Sequence, residues 1–501
     1  MRQDMNYIST RGGAPASSEE AIYRGLSKTG GLFIPEKLPE ALPLEAMFEK
    51  TPAETMALFF HRFMPNFSLE VWESIVDEAL LTLTAESDAF DWPVHPLNAY
   101  LERYYLFNGD RLPTGSLSDI SSAIFLTLLR KLDEKRNNPL EPLIVAVITD
   151  DMAVSSLRMM SAYKKIFFVS QNGGRSSEIS WLLKSHEKAF SFEDSFDTRY
   201  REFSGLAADE SFEKALNAQG YDPIFWGPGH ILEVLTAGAL VTASLALILA
   251  EKTPEDSMTY VVNKNHLSFF AGLVYANSLE LPIDAVYVGE NEPAILRTLF
   301  ETGKMMQAKR RRRSDDPGVM WPVNLERLLF EVTGRDESRL LDIMGKWDQA
   351  EVPLLNEDEI HLLNQSVTVA SNDYRRCLRI IRNIYDQTDY LIGRETADAI
   401  ACWARHSDKK DTSIVCYVQE RSPLLDIETT TKAILGDEAS RRAEADAVCM
   451  LAEESGVPIW ETLRASLEKK EPLTMIPVAD SLQDTIFEAV RKHDHERGVD
   501  A

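Results

Sequence analysis

Short apolar runs rich in β-branched residues, each separated from the next by a helical stretch, constrain the fold of this chain more than any other feature. Leu143-Ile144-Val145-Ala146-Val147-Ile148 is bounded by Glu-Pro on one side and Thr-Asp-Asp on the other. The runs at 165–169, 258–262, 285–288 and 412–418 repeat that texture. Runs of this length without polar alternation read as strands buried on both faces, and intervening helices make βαβ units. Open α/β sheets are therefore predicted for most of the chain beyond residue 100.

The first 95 residues differ and read as mainly helical. Ser17-Ser18-Glu19-Glu20 offers a capping hydroxyl and first-turn acids. A helix is predicted through Ala21, Ile22 and Leu26 until Gly30-Gly31 stops it. Two more are predicted over 53–63 and 68–83. The uncharged stretch 234–250 is at the lower limit for a membrane-crossing helix. Its small residues suit close packing, and it reads as a buried core helix.

Charge narrows the partners. With 79 acidic and 53 basic side chains the net charge is −26. Such a field repels phosphate, which argues against nucleic acid and against anionic membranes. The exception, Lys309-Arg310-Arg311-Arg312-Arg313, runs directly into Asp315-Asp316 and reads as a solvated loop of unassigned role. Cys377, Cys402, Cys416 and Cys449 show no C-x-x-C spacing, so reduced thiols are expected, without a metal motif. No apolar segment follows Met1-Arg2-Gln3-Asp4, and a cytoplasmic location is expected.

Three stretches carry a family resemblance. They are Tyr7-Ile8-Ser9-Thr10-Arg11-Gly12 with Gly30-Gly31-Leu32-Phe33-Ile34-Pro35, the helix Asn324-Leu325-Glu326-Arg327-Leu328-Leu329-Phe330-Glu331, and Phe300-Glu301-Thr302-Gly303. Together they resemble the threonine synthase family over essentially the whole chain. The resemblance implies the α/β architecture of fold-type-II pyridoxal phosphate enzymes, which is similar to the tryptophan synthase β subunit. It has two open α/β domains behind an N-terminal helical domain. The implied boundaries are 1–95 for the helical domain, 96–139 with 223–501 for a large α/β domain, and 140–222 for a small one.

The cofactor loops depart from the family. Pro113-Thr114-Gly115-Ser116-Leu117-Ser118-Asp119 resembles the family's Pro-Thr-Gly-Ser-Phe-Lys-Asp, in which the lysine carries pyridoxal phosphate as an imine. Ser118 stands at the lysine position, and a hydroxyl cannot form an imine with an aldehyde. Thr149-Asp150-Asp151-Met152 and Asn263-Lys264-Asn265-His266-Leu267-Ser268 align with the two glycine-rich ligand loops but have lost their glycines. Asp150 matches an acid of the family and Asp151 does not. The later segments 393–397 and 416–423 also depart. The substrate-side motif survives as Gly174-Arg175-Ser176-Ser177-Glu178, whose Arg175 and Ser177 could hold a phosphate or carboxylate.

From these departures, no cofactor is expected and pyridoxal phosphate is expected to be absent. The leading expectation is a threonine synthase-like pseudoenzyme or binding protein, with a small amino-acid-like or phosphorylated ligand or a protein partner. The alternative is an enzyme repurposed for other chemistry on such a compound. Its candidates are Asp119, Asp150 and His266 as reacting groups, with Thr114, Ser116, Arg175, Ser177, Lys264 and Asn265 lining an anion pocket. Ordinary threonine synthase activity is the third possibility.

Overall fold

The computed structural model describes residues 5–84, 92–97, 103–136, 138–159, 162–170, 175–184, 187–192, 196–253, 256–291, 294–305, 323–346, 352–408, 413–468, 473–477 and 480–496. The basic run 309–313 and Gly174 lie outside them, as does the side chain of His266.

The apolar runs become the central strands of two sheets. A six-stranded sheet has the order β12 (Val367–Asn372), β11 (Ile283–Asn291), β10 (Met258–Asn263), β13 (Ile414–Gln419), β5 (Tyr104–Asn108), β4 (Val94–Pro96). All its pairs are parallel except β4 with β5. A five-stranded parallel sheet has the order β14 (Thr474–Ile476), β8 (Glu187–Phe192), β7 (Lys164–Ser170), β6 (Glu141–Ile148), β9 (Tyr221–Trp226). One of its strands lies outside the continuous 140–222 unit expected from sequence, and another crosses its edge. The boundary at 222/223 cuts β9, and β14 comes from the C-terminal region. Pairing of parallel strands is non-local, and a three-residue strand leaves no periodic trace.

The N-terminal region combines helices with a small antiparallel sheet that sequence texture did not reveal. The sheet is β1 (Asn6–Ser9) between β2 (Ala16–Ser17) and β3 (Phe33–Pro35). Helix α1 (Ser18–Arg24) starts where expected, with Ser17 accepting the Glu20 N–H at 3.1 Å. It stops sooner than Gly30, because Gly25 already turns left-handed at φ 78°. Helix α2 (Pro52–Phe63) opens on a reciprocal Thr51–Glu54 capping box with Pro52 in its first turn. Helix α3 (Leu69–Leu81) packs Trp72 on Phe60 with ring centroids 4.7 Å apart.

The helix Ile231–Leu249 is the axis of the core, 94% buried over its most apolar window. It crosses the helix Leu267–Asn277 at a pair of glycines, where a Cβ on Gly272 would come 2.5 Å from the Gly238 amide. No larger residue permits that approach. His230 caps the helix from its neutral form. Its Nδ1 accepts the Leu232 N–H at 3.1 Å, while Nε2 donates to the Ile22 carbonyl at 2.8 Å. Burial pushes the imidazole down to about 3.

Candidate functional site

In open α/β sheets ligands bind beyond the carboxyl ends of the strands. That end is where the predicted loops converge. Helix α4 (Ser118–Arg136) follows β5, α5 (Asp150–Met159) follows β6, and α6 (Ser176–Leu182) comes after β7. The turn Lys264–His266 follows β10, and the 420–426 segment follows β13.

The loop before α4 is fixed by its own carboxylate. Asp119 is fully buried and accepts from the Thr114 N–H at 2.7 Å and from Thr114 Oγ1 at 2.8 Å. Burial raises the carboxyl, against the Thr114 hydrogen bonds that lower it. Ser116 is buried, accepts the Ser118 N–H at 3.2 Å and forms a β-bridge with Arg421. Ser118 is the first residue of α4, half-buried, and its carbonyl accepts from Ser121 Oγ at 3.1 Å. Gly115 lies at φ +66°, and a Cβ there would be 2.6 Å from the Trp460 ring. Gly115→Ala is expected to lower stability by about 2–4 kcal/mol, through left-handed strain and overpacking together. The urea midpoint checks this; an unchanged midpoint would mean that the tryptophan ring yields at no cost.

Arg175 ties this loop to the other sheet. Its Nη2 donates to the Thr114 carbonyl at 2.9 Å, and its Nη1 to Asp151 Oδ1 at 2.7 Å. Nε and Nη2 grip Glu178 at 2.8 and 3.0 Å. Glu178 also accepts from Trp460 Nε1 at 2.9 Å and Thr462 Oγ1 at 2.7 Å. Burial works against the Arg175 charge, but Glu178 and Asp151 outweigh it and the net shift is upward. The arginine expected to receive an external anion with Ser177 thus already holds two internal carboxylates. Ser177 is half-buried on α6.

The rest of the cluster is acidic. Arg421 Nε approaches Asp151 Oδ2 at 3.5 Å. Asp150 is buried, and its Oδ2 has no hydrogen-bond partner among the described residues. Burial, then Asp151, pushes its carboxyl up to about 6. Asp426 is also raised to about 6, by burial against the pull of Arg421. Lys264 and Asn265 belong to an adjoining cluster rather than to this one. Lys264 Nζ is 3.9 Å from the buried Glu290, and Asn265 Nδ2 donates to Glu395 Oε1 at 2.5 Å.

Structure therefore brings Thr114, Ser116, Asp119, Asp150 and Arg175 together and sets Lys264 and Asn265 beside them. Sequence reading places Asp151 in the site with Asp150 but misses Glu178, Arg421, Trp460 and Thr462 as the groups that complete it. Glu178 stood inside the surviving motif, and a search for arginine partners there could have found it. No motif carries Trp460.

Residues 6–80 match the family model for the threonine synthase N terminus. A threonine synthase of Pseudomonas aeruginosa is 25% identical over 411 residues, covering 78% of this chain and 83% of that one. Threonine synthase-like 2 of Mus musculus is 22% identical over 436 residues, covering 83% and 87%. The crystal structure of PLP-bound threonine synthase from Brucella melitensis shares the fold with a TM-score of 0.76 at 18% identity, over 98% of this chain and 99% of that one. Sheets, cleft and helix-start loop define the fold-type-II architecture of pyridoxal phosphate enzymes. Within that class the chain is similar to threonine synthases, and its N-terminal residues 6–80 match the model of that family's N terminus.

These relatives correct one expectation. The expectation of no cofactor is overturned by a solved threonine synthase that binds pyridoxal phosphate and shares nearly the entire fold. What the residues 113–119 do not fit is covalent attachment: the segment contains no lysine, and Ser118 offers a hydroxyl.

Proposed function

We propose that this threonine synthase-like protein has lost the lysine-based catalysis of its relatives and keeps the fold as a cytoplasmic binding protein for a small amino-acid-like or phosphorylated ligand. Pyridoxal phosphate itself, held without a covalent bond at residue 118, is compatible with this reading; threonine formation is not. The observation that supports it is the closed pairing at the start of α4. Ser118 supplies no amine, and Arg175 beside it is committed to Glu178 and Asp151. The test is borohydride reduction of the purified protein with pyridoxal phosphate, then peptide mapping, alongside an assay for threonine. Neither threonine nor a pyridoxyl-lysine in the cleft is expected. A reduced adduct on Lys264 together with threonine formation would overturn the proposal.

A second reading, repurposed chemistry, draws on Asp150. A buried carboxyl raised to about 6, with an unpartnered oxygen, is suited to general acid–base work near neutral pH.

A further inference from the structure

Asp151 bridges loops that leave the two large sheets, alongside polar contacts such as Thr114 with Ser155 and Ser122 with Ser156. It sits in the first turn of α5, just after β6 of the five-stranded sheet. One of its oxygens takes Arg175 Nη1 at 2.7 Å, from the segment after β7 of the same sheet. The other faces Arg421 Nε at 3.5 Å, in the segment that leaves β13 of the six-stranded sheet. The Asp151 side chain is 15% exposed, as is that of Arg421, whereas Arg175 is 1% exposed. The bridge therefore lies at the rim of the cleft, in reach of solvent, with its inner anchor buried.

A guanidinium accepts any oxyanion of suitable shape, from a side chain or from a ligand. A carboxylate on the same chain competes from a high effective concentration, so it holds the position until a ligand out-competes it. The outer half of the bridge is the weaker. The Arg421 Nε is buried and makes no hydrogen bond among the described residues, so its 3.5 Å contact with Asp151 is an ion pair. An entering oxyanion that gave this Nε a hydrogen bond would satisfy it better than Asp151 does.

We propose that Asp151 is an autoinhibitory strap: by occupying Arg175 and Arg421 together it holds the cleft between the two sheets shut, and an oxyanion opens the cleft by taking Arg421. The identity of the natural oxyanion rests on the binding-protein reading; the strap rests on the bridge geometry alone. Asp150, Glu178, Asp426 and Glu395 remain beside the two arginines when Asp151 is neutralised. Opening therefore does not strip the arginines of every counter-charge.

The test uses hydrogen exchange on the full chain and inorganic phosphate as the probe. In Asp151→Asn, amides of 176–182 and 420–426 should exchange about tenfold faster than in the unmodified protein, and phosphate should bind about tenfold tighter by calorimetry. Arg421→Gln should abolish that gain in phosphate affinity. Unchanged exchange, or equal phosphate affinity with and without Asp151, overturns the strap. If Asp151→Asn does not fold, the unmodified protein decides. Phosphate should speed exchange over 150–159 where sodium chloride of equal ionic strength does not, and equal effects of the two salts overturn the proposal. Exchange requires no turnover, so a threonine-forming protein would defeat the proposed function and leave this test readable.

Discussion

Glu233→Gln is expected to stabilise the protein by roughly 3–4 kcal/mol at about pH 8 and to change little at about pH 5. Glu233 lies in the first turn of the core helix Ile231–Leu249, where the helix dipole favours a carboxylate. It is only 8% exposed, and its Oε1 takes a single short hydrogen bond from Ser121 Oγ at 2.6 Å. Burial dominates and pushes the carboxyl up to about 8; the Ser121 bond lowers it, and Glu420 raises it further. The sign follows from linkage. The folded value lies above the unfolded one, so this group's contribution is fully present below about pH 4. It is then lost as pH rises through about 8. A glutamine keeps the shape and still accepts from Ser121, yet has no proton to lose. Urea midpoints at three pH values check this. Parallel losses in both proteins would shift responsibility to Asp110, which burial raises to about 7.

The second large effect is at Arg175. Arg175→Met should cost about 3–5 kcal/mol, because it leaves Glu178 and Asp151 in the cleft without their principal counter-charge. Lysine should rescue little of this. One ammonium cannot reproduce the paired grip on Glu178 while also reaching Asp151 and the Thr114 carbonyl. Combining Arg175→Met with Glu178→Met should recover a large part of the loss, since the buried charge then leaves together with its partner. Guanidinium unfolding of the two singles and the double forms the cycle. A double variant as unstable as the sum of the singles would show that Glu178 is held by Trp460 and Thr462 alone.

Much of the scaffold was legible because it is written locally. The run 143–148 was a strand by texture, and it is the centre of β6. Ser17 announced the start of α1 through its hydroxyl. Local signals failed where a distant partner decided the outcome. α1 ends at Gly25 rather than Gly30, and β14 exists only because β8 offers it an edge. The candidate site shows the same division. Thr114, Ser116 and Asp119 are near neighbours in sequence and were read together. Asp151, Arg175, Arg421 and Trp460 are scattered along the chain, and no spacing rule connects them. The departures at 149–152 and 416–423 read as parts of one shared loss, although they lie far apart in the sequence. In the folded chain, Asp151 from one faces Arg421 from the other, so two losses read in sequence form one contact.

Glu178 has a consequence for how the molecule assembles. Its carboxylate is satisfied by its neighbour Arg175 and by two groups from 460–462, with Trp460 282 positions further along the chain. Contacts that close loops of that size bear their entropy before they repay it, and they form late. Until the C-terminal segment docks, Glu178 has only Arg175, and Gly115 lacks the tryptophan ring that covers it. The site is thus completed by the last quarter of the chain, so a ribosome-bound chain that has emerged only through α6 carries the ion pair but not its roof.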